Sequence, residues 1–367
     1  MAILAAALVT VNACASVQRF APSPQERAWR TYLGSPTRAP ADSDSVAADP
    51  QPVWRTDVGR GIVGAPALTE GLVAVAQVDR QVAVLDRATG EVIWRKRLTN
   101  PPGGGPLVDG DRLYIATQEE AGRVHALRLA DGKSVWAQAL GDVAAPLALD
   151  DTVVIAATTA GTVAAFGASE GRRVWRVHVP GAIRTAPVPV PGGIVVATGS
   201  DSLYLLDRRT GAVRRRIGLR GTALATIALA DSLLVVGTTA GDLAAFDATR
   251  LEPLWHTDLG GNVVGAVAVW RGAAYALTDA GALHRVPLDT PATGTHVETG
   301  VVSRAGPTPT AAGVLLAGVD GELVLVDPAT GERRWSVRLQ VPLVQPALVD
   351  GRLILAASAR GEVVAFR

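Results

Sequence analysis

Residues 84–94 read VLDRATGEVIW: the end of one strand, a tight polar turn around Thr89 and Gly90, and a second strand that closes on Trp94. Residues 326–335 repeat the phrase as VDPATGERRW. The tryptophans carry the period. Trp54, Trp94, Trp136, Trp175, Trp255 and Trp335 follow at intervals of 40, 42, 39, 80 and 80 residues. The two doubled gaps imply degenerate copies, one near Arg215 and one near Val297. A second marker keeps the same period: Pro66, Pro106, Pro146, Pro187, Pro307 and Pro346 stand 40, 40, 41, 120 and 39 apart. Ile227 and Val267 take the two missing proline positions. Two independent markers at one period define a repeat architecture.

Within a unit, three short apolar runs precede the tryptophan strand. The first unit reads APALTEG, LVAVAQVD, QVAVLD and VIWRKRL; the seventh reads PTPTAAG, VLLAGVDG, ELVLVD and RRWSVRL. Runs of this length, rich in Val, Leu and Ile and bounded by Gly, Asp or Pro, are strands. Four strands in about 40 residues leave no room for helices, which is the signature of a propeller blade. The last unit stops at Arg367 without a tryptophan strand, and the first such strand, VWRTDV at 53–58, has no strands before it. Joined, they complete an all-β, eight-bladed β-propeller of four-stranded antiparallel blades, closed by the N-terminal strand. A seven-bladed ring with an irregular blade around 266–300 is the alternative. The tryptophans are expected as wedges between blades. The Thr-Gly pairs at 89–90, 210–211 and 330–331 supply a left-handed turn position. Asp86, Asp207 and Asp327 are expected to accept from local amides rather than to act chemically.

The chain has 367 residues, 48% of them hydrophobic, and a net charge of +1. That balance argues against a nucleic-acid partner, which requires many neutralised phosphates. The single cysteine, Cys14, rules out an internal disulfide or a cysteine-based zinc site.

Residues 1–13 are apolar or small except Thr10 and Asn12. They are too short to span a bilayer, which takes about 20 residues, and suit the apolar region of a signal peptide. VNAC at 11–14 resembles a bacterial lipobox. The resemblance implies cleavage before Cys14, acylation of its thiol (palmitate among the chains), and anchoring to the outer membrane, since Ala15 and Ser16 lack the aspartate of inner-membrane retention. Residues 14–50 form the tether, with SPTRAPADSDSVAADPQP as its linker. WRTYLGSPTR at 29–38 resembles the W-x-x-x-x-G-x-x-x-R lead-in of quinoprotein-type propellers; it places Trp29 and Tyr32 against the outside of the body. The propeller occupies 51–367.

No catalytic pattern is present. The five histidines, His125, His178, His256, His284 and His296, fall in different blades by this reading, without an i, i+2 or i, i+4 pair. No serine sits in a G-x-S-x-G elbow, and GIVGAPALTEG leads into a strand, not a helix.

The phrase D-x-x-T-G-x-x-x-W resembles the repeat of pyrroloquinoline-quinone (PQQ) propellers over residues 51–367. Catalytic members of that class are longer, commonly carry adjacent cysteines at the quinone, and bind calcium through clustered carboxylates. Here the loops between blades are short and small, as in GDVAAP and GGNVVGA, so no cofactor, metal or catalytic residue is expected. A lipid anchor joined to a non-catalytic propeller is similar to the BamB family of the β-barrel assembly machinery. That resemblance implies a periplasmic protein-binding scaffold docked on a BamA-like barrel subunit. Its contact segment, a Leu-x-Leu-Arg run, maps onto 180–184 (PGAIR), where Ile183 and Arg184 stand in. One blade later the family has paired aspartates, whereas 219–223 read LRGTA. A propeller that binds another envelope protein, a glycan or a small ligand remains the alternative, with a PQQ-dependent enzyme as the third.

Overall fold

The computed structural model describes residues 46–225 and 227–367. Cys14, the signal segment, Trp29 and Tyr32 lie outside the described residues. The described chain folds into eight four-stranded antiparallel sheets. Blade 1 comprises Ile62–Leu68, Leu72–Gln77, Gln81–Asp86 and Val92–Arg97. Blades 2 to 7 follow over 107–139, 148–178, 188–218, 228–258, 268–298 and 308–338. Blade 8 joins Leu348–Asp350, Leu353–Ala357 and Glu362–Phe366 to Pro52–Asp57, which takes the outer position. Ring closure by the N-terminal strand, and a blade count of eight, are as the sequence periodicity predicts.

The segment around 266–300 is a complete sixth blade. Its outer strand, Thr295–Glu298, is short and follows a single 3-10 turn at Pro291–Thr293. The strand register places Thr295 opposite Arg285, where blade 5 has Trp255 opposite Ala245. The tryptophan position of blade 6 is therefore Thr295, two residues before Val297.

Eight apolar clusters hold the ring, one at each blade boundary. Each sheet is covered on both faces by its neighbours, so the middle strands are apolar throughout instead of alternating. Leu72–Gln77, LVAVAQ, is buried at five of its six positions. Outer strands alternate, as in Pro52–Asp57, where Trp54 is buried and its flanking residues are exposed.

The tryptophans bridge blades. The indole Nε1 of Trp54, Trp94, Trp136, Trp175 and Trp255 donates to the carbonyls of Arg87, Leu129, Ala168, Arg208 and Leu288, each in the following blade, at 2.8–3.1 Å. Each acceptor lies in the turn before the next outer strand. A methyl group added at Gly90, φ +74°, would stand 2.5 Å from Cε3 of Trp54. The turn glycine is thus required twice, by its left-handed backbone and by the indole on its Cα. Asp86 serves the same turn: its Oδ1 accepts from the amides of Ala88 and Thr89, both at 2.9 Å, and Asp207 does the same for Arg209 and Thr210. Those bonds hold the Asp207 carboxyl down to about 2, the Thr210 hydroxyl and amide contributing most.

Candidate functional site

One end of the ring carries both the connections from each outer strand to the next blade and the hairpins between second and third strands. A single repeated hydrogen bond ties the two together. The amides of Val78, Gln118, Thr159, Gly199, Thr239, Asp279, Val319 and Ala359 donate to the carbonyls of Gly61, Pro101, Asp142, Ala182, Thr222, Asn262, Val302 and Pro342 at 2.8–3.0 Å. The donor is always 17 residues after the acceptor. Side chains reinforce the clamp. Asp142 accepts from Thr159 Oγ1 at 2.6 Å, Asn262 Nδ2 donates to Asp279 at 3.0 Å, and Thr222 Oγ1 donates to Asp201. The connections are thereby held in one conformation, which lowers the ordering cost of any docking on this end.

Ile183 and Arg184 lie on the connection into blade 4 and point opposite ways. Arg184 is exposed. Ile183 is fully buried at the boundary of blades 3 and 4, and its amide donates to the Thr158 carbonyl. The apolar stand-in read from the sequence is a core side chain, because neighbouring residues of an extended connection face opposite sides. Exposed apolar surface comes instead from Leu224, 49% exposed, and Val302, 54% exposed, on later connections of the same end. Counted back three residues from Pro187, Ile227, Val267 and Pro307, the equivalent positions are Arg184, Leu224, Val264 and Arg304. Arg184, Leu224 and Arg304 are exposed and Val264 is half-buried. This end of blades 4 to 7 thus presents apolar side chains between two arginines. The proline-position register was the signal that singles out Leu224. The segment 219–223 lacks an acid, but Asp201 of the blade 4 hairpin bonds Thr222 and places an exposed carboxylate there.

The axis is narrow. A methyl group at Gly105 would lie 2.2 Å from the Ala65 carbonyl oxygen, and one at Gly306 the same distance from that of Ala266. The apolar cluster of blades 8 and 1 includes Ala266 and has Ala225 packed against it, both from the far side of the ring. A quinone with its calcium needs clustered carboxylates. The inner residues named here are small and apolar and do not fit one. Among the described residues, no three His, Cys, Asp or Glu side chains converge as a metal site.

The histidines are not all separate. His284 and His296 both belong to blade 6 and stand directly opposite each other across two strands, rings stacked at 5.1 Å. The reading of five histidines in five blades is corrected by this hairpin, whose register joins residues 12 apart that helix- or strand-spacing rules do not pair. His256 Nδ1 lies 3.2 Å from Asp242. His125 is buried, its Nε2 has no hydrogen-bond partner, and burial lowers its pKa to about 4.

The fold and its repeat define a PQQ-type β-propeller. Four segments, 42–121, 120–214, 202–297 and 285–367, match the family described as outer membrane protein assembly factor BamB, and the chain belongs to that family. The outer membrane protein assembly factor BamB of Burkholderia pseudomallei is 28% identical over 57% of this chain and 59% of its own length. The matched stretch thus spans less than two thirds of that relative. A tetrathionate hydrolase of Acidithiobacillus ferrooxidans is 25% identical over 91% of this chain and 77% of its own. Among solved structures, BamB from Moraxella catarrhalis superposes with a TM-score of 0.73, covering 87% of this chain and 98% of that one at 17% identity, a likeness of fold. No described helix is long and apolar enough to cross a membrane.

Proposed function

We propose that this chain is a non-catalytic, lipid-anchored periplasmic scaffold that binds protein and supports assembly of β-barrel proteins into the outer membrane. Family membership carries the reading. The clamped connections support it, because they offer a rigid, loop-built surface with apolar and basic side chains, the composition of a docking face. Arg184, Leu224 and Arg304 are its central contacts, Cys14 is its acylated anchor, and a BamA-like barrel subunit is the partner. Mild crosslinking in the native envelope, followed by recovery of this chain, tests it. A BamA-type barrel protein is expected in the recovered complex; repeated recovery without one would sink the proposal.

The similarity to a tetrathionate hydrolase along 91% of the chain favours a second reading, an enzyme. The small, apolar axial residues weigh against a quinone-dependent one. Turnover of tetrathionate by the purified chain, lost on heat unfolding, would establish the enzymatic reading in place of the scaffold.

A further inference from the structure

Blade 6 departs from the repeat in three linked ways. Its outer strand lacks the tryptophan, its turn is replaced by the loop through Pro291–Thr293, and the boundary with blade 5 opens into a cleft of about 330 Å³. The cleft is lined by His284 and His296 from blade 6 and by Thr257 and Asp258 from the outer strand of blade 5. His284 is 9% exposed, and its buried Nε2 has no hydrogen-bond partner. Leaving a buried ring nitrogen unmatched costs free energy, and most histidines in such a place find a carbonyl or a carboxylate. His296, opposite it in register, is exposed and free to change rotamer.

We propose that His284 and His296 form a two-imidazole site for a borderline divalent ion, copper(II) or zinc. Neutral imidazole is the preferred nitrogen donor for these ions, and copper(II) binds such donors most tightly in the first-row series. Residues directly opposite on antiparallel strands have Cβ atoms about 4.5–5.5 Å apart, a span that two imidazoles bridge onto one ion. With no third protein donor converging among the described residues, water completes the coordination, and the site is open. His125 gives an internal contrast. It holds the equivalent position in blade 2, but Ala137 faces it across the strands, and Arg123 and Lys96 act on it as nearby positive charges. Those groups repel a cation, so the same position there is a buried histidine and not a site.

The test is calorimetric titration of the untagged full chain with copper(II) and, separately, zinc, for the unaltered protein and for His296→Ala, His284→Ala and His178→Ala. Loss of outer-shell partners alone costs about 10–100-fold in metal affinity, so loss of either ligating imidazole should weaken binding by at least about tenfold. His178→Ala, at an exposed single histidine of blade 3, should leave it unchanged. His296→Ala alters an exposed side chain and keeps the test valid should His284→Ala fail to fold. Absence of saturable binding, or binding that His296→Ala leaves within about twofold, would overturn the assignment.

Discussion

Leu251 of blade 5 stands beside the reach of Arg215 from blade 4, whose Nη1 meets the carboxylate of the adjacent Glu252 at 3.4 Å. At four other boundaries the corresponding pair is tryptophan and glycine: Trp54 with Gly90, Trp94 with Gly132, Trp136 with Gly171 and Trp175 with Gly211. Leu251 makes the same turn, its amide donating to the Asp247 carbonyl at 2.8 Å, and keeps a left-handed φ of +55°. A non-glycine residue in that region costs roughly 1–2 kcal/mol. It is tolerated because no indole covers its Cα, and the side chain is fully buried in the cluster of blades 4 and 5. At this boundary both positions are exchanged, whereas at the boundary of blades 6 and 7 the turn glycine, Gly331, stays although Thr295 takes the tryptophan position.

Arg215→Trp alone should press an indole onto Leu251 and destabilise the ring by about 1–3 kcal/mol, the usual cost of overpacking. Leu251→Gly alone should also destabilise, since it empties buried volume. The double variant should recover most of both losses, giving a favourable coupling energy. Chemical denaturation of the four proteins in a double-mutant cycle measures it; strict additivity would show that the exchange is not a contact.

Acid sensitivity has a named contributor in His125. Burial lowers its pKa from 6.5 to about 4 in the folded protein. Below about 6.5 the unfolded chain takes up a proton that the folded chain refuses until pH 4, so stability falls across that window and levels below it. The loss is on the order of 1–3 kcal/mol. His125→Gln should flatten the dependence of the melting temperature on pH between 6.5 and 4. An unchanged slope would overturn the assignment to His125, since Asp207 acts lower, its contribution disappearing only between its unfolded range near 4 and its folded value of about 2.

The repeat was legible because a propeller blade cannot bury its own faces. Each blade must present the same apolar strands and the same bridging residue to its neighbour, and selection for that contact writes a period into the chain. The eight blades, the closing strand and the roles of Trp94 and Asp86 followed from that period. Ile183, the apolar stand-in for the contact segment, is a buried core side chain, and the sequence does not show it because alternation along a loop has no fixed phase. The His284–His296 pair was missed because a hairpin of irregular length sets its register. The clamp joins backbone groups 17 residues apart, and the side chains that reinforce it differ from blade to blade, so it leaves no repeated signature in the sequence.

Closure of the ring depends on Trp54 more than on Trp335. Trp54 is 9% exposed, donates to the Arg87 carbonyl at 2.9 Å and covers Gly90. Trp335 is half-buried, and its Nε1 finds no acceptor among the described residues. The reason is topological: in blade 8 the third and outer strands come from opposite ends of the described chain, so the turn that supplies the carbonyl elsewhere is missing. Trp54→Ala should cost about 3–5 kcal/mol and Trp335→Ala distinctly less. Removal of residues 1–57 should expose the edge of Glu362–Phe366 and promote association through it. Thermal unfolding and light scattering read both effects; equal losses for the two tryptophans would contradict the assignment.

The proposed docking through the clamped end makes a separate demand, that binding and stability come apart. Arg184 and Leu224 are exposed and sit on connections whose backbone is held by Gly199 and Thr239, not by their own side chains. Substitution of such residues usually changes stability by no more than about 0.5 kcal/mol. Arg184→Glu and Leu224→Asp should therefore leave the melting temperature nearly unchanged while reducing capture of the barrel subunit, and the pair together should reduce it further. Side chains at the centre of a docking patch commonly carry 2 kcal/mol or more, so a loss of about thirtyfold in affinity is expected for the more central of the two. Ile183→Asp should behave in the opposite way, unfolding the boundary of blades 3 and 4 before it touches binding, because it places a carboxylate in a closed apolar cluster. Affinity measured on the folded fraction, alongside thermal unfolding of the same samples, distinguishes the two behaviours; full binding by the Arg184→Glu, Leu224→Asp double variant would move the interface to another part of the ring.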